Sequence, residues 1–447
     1  MKLTFLQSSS VLLEDKTTKI LTDPWLIDGE LYGSWVHYPP SKLIPEDFND
    51  VDYIYLSHIH QDHFSQKTLK QMSKKIPIII HSFASKALKN NIERLGFDVI
   101  ELEHNKRTHL KDGLHINILA ADSCNPEVCK KYFGCAPMEE TFGSTSIDTM
   151  SVIDNGTEVI VNTNDCPYDL SLQASQTIMQ KYDHIDMALI GYTSSSAYPQ
   201  CFEMDIEKKI EAKEKLKQEF LMKAVHFVNL FKPQYYMPFA GRYTLAGNLS
   251  NLNKWLGVTE LQDAYDFYNS IDLIDHSKHK CIILNSQSWF DISTEKISQP
   301  YQRIDTTKKN EYIKNVLEQR KLDYEYEEIP TDDEILSLIP KSYERFVSYC
   351  DKLNWKSDTV VLVKLSDNNF IKISCERKGW EIISTNDASE FKKYVKMSLD
   401  KRLLKWILEG PKFGHWNQAE GGSHIMYERN PNVYERSLFY CMSYFHS

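Results

Sequence analysis

The stretch "YLSHIHQDHFS", Tyr55 to Ser65, carries three histidines and one aspartate close together: His58, His60, Asp62 and His63. Imidazole nitrogens and carboxylate oxygens are the usual protein ligands of zinc and of non-haem iron, and a pair of metals needs roughly this many. The alternative is a polar loop that contains histidines by chance, and ligands at this density make coincidence a poor explanation. The stretch therefore predicts a metal site.

The segments on either side place these ligands at the end of a strand. "VDYIYL", Val51 to Leu56, is β-branched and aromatic, which is typical of a buried strand, and "SQKTLKQMSKK" after the motif has the pattern of a capped helix. Open α/β sheets hold their sites on loops at the carboxyl ends of strands. The motif is therefore expected on such a loop.

Strand-like and helix-like segments alternate over the first part of the chain, and the character changes near Pro300. We predict an α/β (α+β) protein with a mixed sheet sandwich covered by helices in residues 1–300 and a smaller α+β domain in residues 301–447. In the second part, Thr331–Cys350 is expected to be a helical region broken at Pro340. Ser389–Gly410 is expected to be one long amphipathic helix.

Composition narrows the class of protein. The formal net charge of −10 argues against a nucleic-acid binder, because phosphate recognition depends on concentrated Lys and Arg. No apolar run approaches the roughly 18 residues of a membrane span, so no membrane association is expected. The nine cysteines suggest reduced thiols in a cytoplasmic protein. Three of them, Cys124, Cys129 and Cys135, could hold a structural zinc, with packed free thiols as the alternative.

Further polar residues at strand ends could complete or support a metal pair. Asp165 in "VNTNDC" could bridge two metals, because one carboxylate has two oxygens to share. Asp23 in "LTDPW" could orient a ligand histidine from outside the site. Taken alone, either aspartate would be a turn or cap residue.

Two loops offer groups for a substrate. "GYTSSSAYPQCF" provides Tyr192, Ser195 and Tyr198, and "FAGRY" provides Arg242, whose guanidinium can hold a carboxylate or phosphate in two hydrogen bonds. The alternative for each is an exposed loop residue without a function.

Together, "LTDPWL", "SHIHQDH" and "NTNDC" resemble segments of the metallo-β-lactamase superfamily. The segment "KPQYYMPFAGRY" joins them in a narrower resemblance inside that superfamily. Within it they are similar to the hydroxylases that act on CMP-N-acetylneuraminate and to related bacterial sugar-nucleotide hydroxylases, over roughly residues 1–300. The resemblance implies an αββα sandwich with His58 and His60 on one metal, Asp62 and His63 on the other, and Asp165 between them. A separate resemblance, of the C-terminal segments from "NFIKIS" to "ILEG", is to the sterol-carrier type of fold, so the C-terminal domain is expected to be sterol-carrier-like.

The sequence departs from this family in three places. Asn125-Pro126 stands where the hydroxylase has His-Pro, which leaves Asp122, Asn125 or a nearby cysteine as the third ligand of the first metal. "MPFAGRY" occupies the place of the last histidine of hydrolytic members. The Cys-x-His and Cys-x-x-His pairs of the hydroxylase's Rieske domain have no counterpart in this sequence.

Three functions follow from these features. The resemblance favours a non-haem di-iron oxygenase, with a separate electron donor such as a ferredoxin, that hydroxylates a small molecule or a nucleotide sugar. The second is a dinuclear zinc hydrolase of an amide, ester or phosphodiester, and the third is a binding protein with a degenerate site. Two divalent metals are expected, with iron favoured and zinc or manganese as alternatives.

Overall fold

The computed structural model describes residues 1–121 and 148–447. In chain order, the strands are β1 Lys2–Gln7, β2 Ser10–Asp15, β3 Thr18–Thr22, β4 Trp35–Val36, β5 Tyr53–Tyr55, β6 Ile78–His81, β7 Val99–Leu102, β8 Thr108–His109, β9 His115–Ala120, β10 Thr149–Asp154, β11 Val159–Asn162, β12 Met187–Gly191, β13 Tyr235–Phe239, β14 Thr244–Leu245, β15 Lys280–Cys281, β16 Trp289–Asp291, β17 Lys296–Ile297, β18 Val360–Lys364, β19 Asn369–Ser374, β20 Trp380–Ser384, β21 Tyr394–Ser398 and β22 Met426–Asn430. The α-helices are α1 Gln66–Gln71, α2 Ala87–Arg94, α3 Leu172–Lys181, α4 Ile206–Phe231, α5 Leu261–Ser270, α6 Thr306–Tyr312, α7 Asp332–Lys352, α8 Thr385–Ala388, α9 Lys401–Glu409, α10 Trp416–Gly421 and α11 Arg436–Met442. Short 3-10 segments cover Pro45–Phe48, Tyr168–Leu170, Gly247–Trp255 and Asp323–Tyr326, and a π-helical turn covers Ile313–Leu317.

Two sheets form the N-terminal part of the protein. The first has the strand order β17-β16-β1-β2-β3-β5-β6-β7 and the second has the order β15-β13-β12-β11-β10-β9-β8. Within them, β3, β5, β6 and β7 run parallel, as do β11, β12 and β13. Each sheet therefore presents the carboxyl ends of several strands along one edge, where loops can gather functional groups.

Apolar residues fill three layers around these sheets. Leu3, Ile20 and Tyr55 of the first sheet pack against Ile118 and Leu189 of the second, between the two sheets. The outer face of the first sheet is covered by α1 and α2, and that of the second by α3, α4 and α5. This is the helix–sheet–sheet–helix sandwich that the sequence predicts, because each sheet buries one face against its partner and the other against helices.

The C-terminal part contains a separate sheet with the order β20-β19-β18-β21-β22. Its core also includes residues from the N-terminal part, since Trp35 and Tyr243 belong to the same apolar cluster as Phe346 and Leu404. The domain boundary near residue 300 and the sterol-carrier-like character of this region stay predictions.

Two expectations for the C-terminal part are wrong. Ser389–Gly410 is not one helix, because Tyr394–Ser398 forms β21 and the helix α9 starts only at Lys401. In β21 the buried residues alternate with partly exposed ones, which is the period of a strand lying on a core. The other error concerns Pro340, which lies inside the continuous helix α7 rather than ending it.

The helix α7 tolerates Pro340 because of where the proline lies. Pro340 is on the exposed side, while Ile339 and Phe346 are fully buried on the opposite stripe. Proline has no backbone N–H, so one helix carbonyl loses its hydrogen-bond donor, and water can take the place of that donor on the exposed side. The packing of the buried apolar stripe keeps the segments before and after Pro340 in one helix.

Within the described residues, no helix has both the length and the apolar character needed to cross a membrane.

Candidate metal centre

The ligand motif lies on the loop between β5 and α1. The strand is buried, and Ser65 caps the helix by accepting a hydrogen bond from the Thr68 amide through its side chain. The loop is folded back on itself, with the His63 and Phe64 amides donating to the His60 carbonyl at 3.0 and 2.7 Å. The ligands are therefore held on a short, hydrogen-bonded turn at the carboxyl end of a strand.

Two groups of ligand atoms meet at Asp165. One group is His58, His60 and Asp165, the other is Asp62, His63 and Asp165, and within each group the atoms lie within 4.8 Å of one another. Asp165 Oδ2 is 3.8 Å from His58 Nε2, and its Oδ1 is 3.3 Å from His63 Nε2. The two oxygens of one carboxylate thus face the two groups separately, which is the geometry that a bridging ligand needs.

The side chains fit a pair of divalent metals. His58 Nε2 and His60 Nδ1 lie 2.9 Å apart, so their lone pairs can converge on one cation. On the other side, His63 Nε2 and Asp62 Oδ2 are buried, have no hydrogen-bond partner among the described residues, and lie 3.5 Å apart. Buried polar atoms are costly without a partner, and a metal ion would satisfy both.

Asp23 fixes the orientation of the histidine rings from outside the cluster. Its Oδ2 accepts from His63 Nδ1 at 2.8 Å and from the Ser57 hydroxyl at 2.6 Å, and its Oδ1 accepts from the Ser57 amide at 2.7 Å. The Ser57 hydroxyl also lies 3.0 Å from His58 Nδ1. Both rings are therefore anchored through Nδ1 and present Nε2 to the centre.

The electrostatics of the site are those of opposite charges packed out of water. Burial lowers the pKa of His63, but the nearby Asp165, Asp62 and Asp23 outweigh it and hold that pKa well above its usual value. Burial also opposes ionisation of Asp165, yet His63 holds the pKa of its carboxyl below the usual range. Burial raises the pKa of Asp62 to about 6. Asp165 and His63 therefore shift each other's pKa in opposite directions.

Asp148 is a ligand candidate that the sequence analysis missed. Its Oδ1 lies 3.7 Å from His58 Nε2, and burial, with Asp165 close by, raises the pKa of its carboxyl to about 8. Asp148 directly precedes β10, which runs antiparallel to β11, so it comes close to the residues that follow β11. The sequence signal that could have identified this ligand is the position of Asp148 directly before a strand pattern, in "SIDTMSVID".

Other predicted ligands cannot be placed. Asp122 and Asn125 lie outside the described residues, as do the three cysteines Cys124, Cys129 and Cys135. The third ligand among these and the structural zinc site stay predictions.

The predicted substrate residues have different environments. The Tyr192 side chain is buried in the apolar layer between the second sheet and its helices. Arg242 is mostly buried, and its Nη2 lies 3.3 Å from the Tyr38 carbonyl and 3.5 Å from Glu260. Ser195 and Tyr198 are partly exposed. Their role with a substrate stays a prediction.

Tyr243 was not singled out from the sequence. Its ring stacks on Trp35 with centroids 3.7 Å apart, and burial raises its pKa, with further contributions from Cys201 and then from Asp62. Tyr243 follows the predicted Arg242 directly, so the fold brings this part of "FAGRY" towards the metal loop.

The C-terminal part supports the metal loop through the loop after β3. Leu31 of that loop donates its amide to the Gln61 side chain at 2.7 Å, and its carbonyl is 2.7 Å from His424 Nε2. The other ring nitrogen of His424 lies 3.2 Å from the Tyr324 hydroxyl. Because Gln61 stands between His60 and Asp62, His424, more than 350 positions away in the sequence, helps to position the ligands.

Residues 2–131 match the family model described as "Beta-lactamase superfamily domain", so the chain carries a domain of the β-lactamase superfamily. This match confirms the superfamily resemblance and agrees with the αββα sandwich. With the clustered histidines and aspartates, it places a candidate metal site on a domain of this superfamily.

The curated relatives are longer proteins. The chain is 26% identical over 262 residues to a Mycobacterium tuberculosis protein named as a Rieske 2Fe-2S iron-sulfur protein, covering 57% of this chain and 46% of the relative. It is 25% identical over 256 residues to the cytidine monophosphate-N-acetylneuraminic acid hydroxylase of Danio rerio, covering 55% of this chain and 38% of the relative. The chain thus spans less than half the length of these relatives.

Two solved structures are distantly similar. An isothiocyanate hydrolase from Delia radicum gut bacteria has 14% identity and a TM-score of 0.45, covering 65% of this chain and 99% of that one. CmlA, a diiron β-hydroxylase from Streptomyces venezuelae, has 15% identity and a TM-score of 0.40, covering 64% of this chain and 53% of that one. Neither likeness bears on the function of this chain.

Proposed function

We propose that this protein is a di-iron oxygenase that hydroxylates a small or nucleotide-linked substrate with electrons from a separate donor protein. The observation that carries the proposal is the carboxylate near His58. With Asp148 beside that histidine, the candidate ligands become three imidazoles and three carboxylates. Imidazole combined with carboxylate is typical of non-haem iron sites that bind oxygen.

The relatives support the same chemistry. The similarity to the Danio rerio hydroxylase extends over 256 residues and so reaches well beyond the ligand motifs. The Mycobacterium tuberculosis relative is named for a Rieske cluster, which is an electron carrier. We propose that an electron carrier such as a ferredoxin supplies the electrons.

In this proposal the chain's own residues hold and orient the metals. His58, His60 and Asp148 would hold one iron, Asp62 and His63 the other, and Asp165 both. Bound iron would supply the chemistry of oxygen activation. Asp23 and Ser57 keep Nε2 of His58 and His63 directed at the centre, and the burial of these two rings excludes water from their unused sides. His60, by contrast, is exposed.

The second candidate is a dinuclear zinc hydrolase, and Asp62 favours it. The pKa of the Asp62 carboxyl is raised to about 6 by burial, and its Oδ2 has no hydrogen-bond partner among the described residues. A carboxylate of that kind beside two zinc ions can orient an attacking water and accept its proton.

Electron demand separates the two candidates. Insertion of one oxygen atom into a C–H bond, with reduction of the other to water, consumes two electrons and two protons, whereas hydrolysis consumes none. The experiment measures product formation from a cell-extract metabolite pool with and without O₂, and with and without dithionite-reduced ferredoxin. The control is His58→Ala under the same four conditions.

The oxygenase should form product only when O₂ and reductant are both present, and protein purified without added metal should contain iron. Turnover in anaerobic, reductant-free buffer, together with stoichiometric zinc, would replace the oxygenase by the hydrolase. Tight metal binding without turnover in any condition would leave the binding protein as the explanation.

A further inference from the structure

A cleft with a volume of about 760 Å³ lies between the N-terminal and C-terminal parts of the protein. One wall is the 3-10 segment that contains Asn248 to Leu252. The other is formed where β18 and β21 end, at Leu365 and Ser366 and at Ser398 and Leu399. Among the residues that the structure describes, no candidate metal ligand lines this cleft. Its volume lies within the range of small-molecule sites, which is roughly 300 to 1,000 Å³.

The position of the cleft in the sheet is one that proteins use for ligands. β18 and β21 are parallel neighbours, so their carboxyl ends open side by side. β19, on the other side of β18, runs antiparallel to it. Loops that leave adjacent parallel strands diverge and leave a crevice between them, which is where α/β proteins bind small molecules.

The charged residues that line the cleft have counter-charges. Lys364 pairs with Asp367 at 2.9 Å, and Lys401 pairs with Asp332. Asp400 accepts two hydrogen bonds from the Arg402 guanidinium, at 2.7 and 2.9 Å.

Two further titratable groups line the cleft, Tyr324 and His424, and both are uncharged at neutral pH. Burial raises the pKa of the Tyr324 hydroxyl. Burial lowers the pKa of His424 to about 4. An ion that entered the cleft would lose water without meeting an uncompensated opposite charge, so the cleft favours an uncharged ligand.

Neutral hydrogen-bonding groups alternate with leucines around the cleft. Asn251 and Leu252 come from the 3-10 segment, Ser366 follows Leu365, and Ser398 precedes Leu399. Within the described part of the chain, the Ser366 and Ser398 hydroxyls make no hydrogen bond. Amides and hydroxyls set between apolar side chains match a ring that carries hydroxyls on its edge and C–H groups on its faces.

The floor of the cleft is rigid. Tyr324 and His424 are almost fully buried, and the Tyr324 hydroxyl lies 3.2 Å from His424 Nδ1. His424 is fixed from the other side by the Leu31 carbonyl. A fixed aromatic floor keeps the cleft open in the absence of a ligand, so binding does not need to order it first.

The geometry points to a second binding site in this cleft, for an uncharged molecule that carries several hydroxyls on a ring, of the size of a nucleoside or a disaccharide. This inference is independent of the reaction at the metal centre, because binding can be measured without turnover.

The test uses isothermal titration of the full chain with uridine and with cellobiose, each paired with a charged counterpart, UMP and cellobionate. Ser366→Trp fills the cleft, and Asn251→Ala removes one amide at an exposed position that does not threaten folding. Ser389→Trp, at an exposed position outside the lining, is the matched control.

At least one neutral probe should bind with a Kd of about 1 mM or lower, and Ser366→Trp should weaken it about tenfold or more while Ser389→Trp leaves it unchanged. Asn251→Ala should weaken the same probe severalfold. Binding of uridine would indicate a nucleoside and binding of cellobiose a saccharide. The inference fails if neither neutral probe binds, if Ser366→Trp binds as the wild type does, or if the charged counterparts bind more tightly.

Discussion

Oδ2 of Asp23 lies 2.8 Å from Nδ1 of His63, and both side chains are fully buried. The same carboxylate accepts two hydrogen bonds from Ser57, which in turn lies beside the His58 ring. One aspartate outside the ligand cluster therefore sets the orientation of a histidine in each of the two metal-binding groups. The predicted role of Asp23 has a geometric basis in this arrangement.

Asp23→Asn should weaken metal binding about ten- to a hundredfold while the protein stays folded. An amide presents only one acceptor oxygen, so it cannot serve the Ser57 amide, the Ser57 hydroxyl and His63 together. The measurement is a competition titration with a chelator, and Asp47→Asn, at an exposed position, is the control. Unchanged metal affinity in Asp23→Asn would show that the histidines do not need this anchor.

Asp165→Ala should lose both metals, whereas His58→Ala should lose at least the metal of its own group. Asp165 belongs to both groups of ligand atoms and His58 to one. Neither variant should unfold, because a chain with cores of this size does not depend on metal to fold. Metal analysis and far-UV circular dichroism check this, with exposed His184→Ala as the control. Wild-type metal content in either variant would remove that residue from the site.

Asp148→Ala should reduce the affinity of the metal held by His58 and His60 and leave the other metal nearly unchanged. Asp148 Oδ1 lies 3.7 Å from His58 Nε2, so its carboxylate is placed for the first group. Stepwise chelator titration can resolve the two ions. Equal weakening of both would instead indicate that Asp148 acts through the charge of the whole site, and no weakening would exclude it as a ligand.

His424→Phe should lower the free energy of unfolding by about 1 kcal/mol, because the buried Leu31 carbonyl and the buried Tyr324 hydroxyl each lose a hydrogen-bond partner, while the Ser34 hydroxyl still donates to that carbonyl at 2.9 Å. The variant should also change the pH dependence of stability. The pKa of His424 is lowered to about 4, so between that pH and about 6.5 the unfolded chain binds the proton more readily than the folded one.

The contribution of His424 to stability is therefore present above pH 6.5 and is lost as the pH falls towards 4. Urea unfolding at several pH values should show a shallower acid loss for His424→Phe than for the wild type. His276→Phe, at an exposed position, should keep the wild-type slope. Parallel curves for His424→Phe and the wild type would contradict the buried neutral state of His424.

The sequence alone determined the local parts of this protein. The strand pattern of "VDYIYL" before the motif and the capped-helix pattern after it placed His58 to His63 on a loop at a strand end. Both patterns can be read from the sequence because periodicity and capping depend only on neighbouring residues. The resemblance to the metallo-β-lactamase superfamily also came from short motifs.

Only the tertiary structure decided which distant residues meet. Asp148 reaches His58 because β10 runs antiparallel to β11, and strand pairing is not encoded in the local pattern. The strand β21 was mistaken for helix because "YVKMS" is followed directly by a strong helical pattern, and its pairing with β18 settled its conformation. The contact of His424 with Leu31, and through it with Gln61, depends on two parts of the chain packing around one apolar core. Such contacts arise from the whole fold, so no window of sequence contains them.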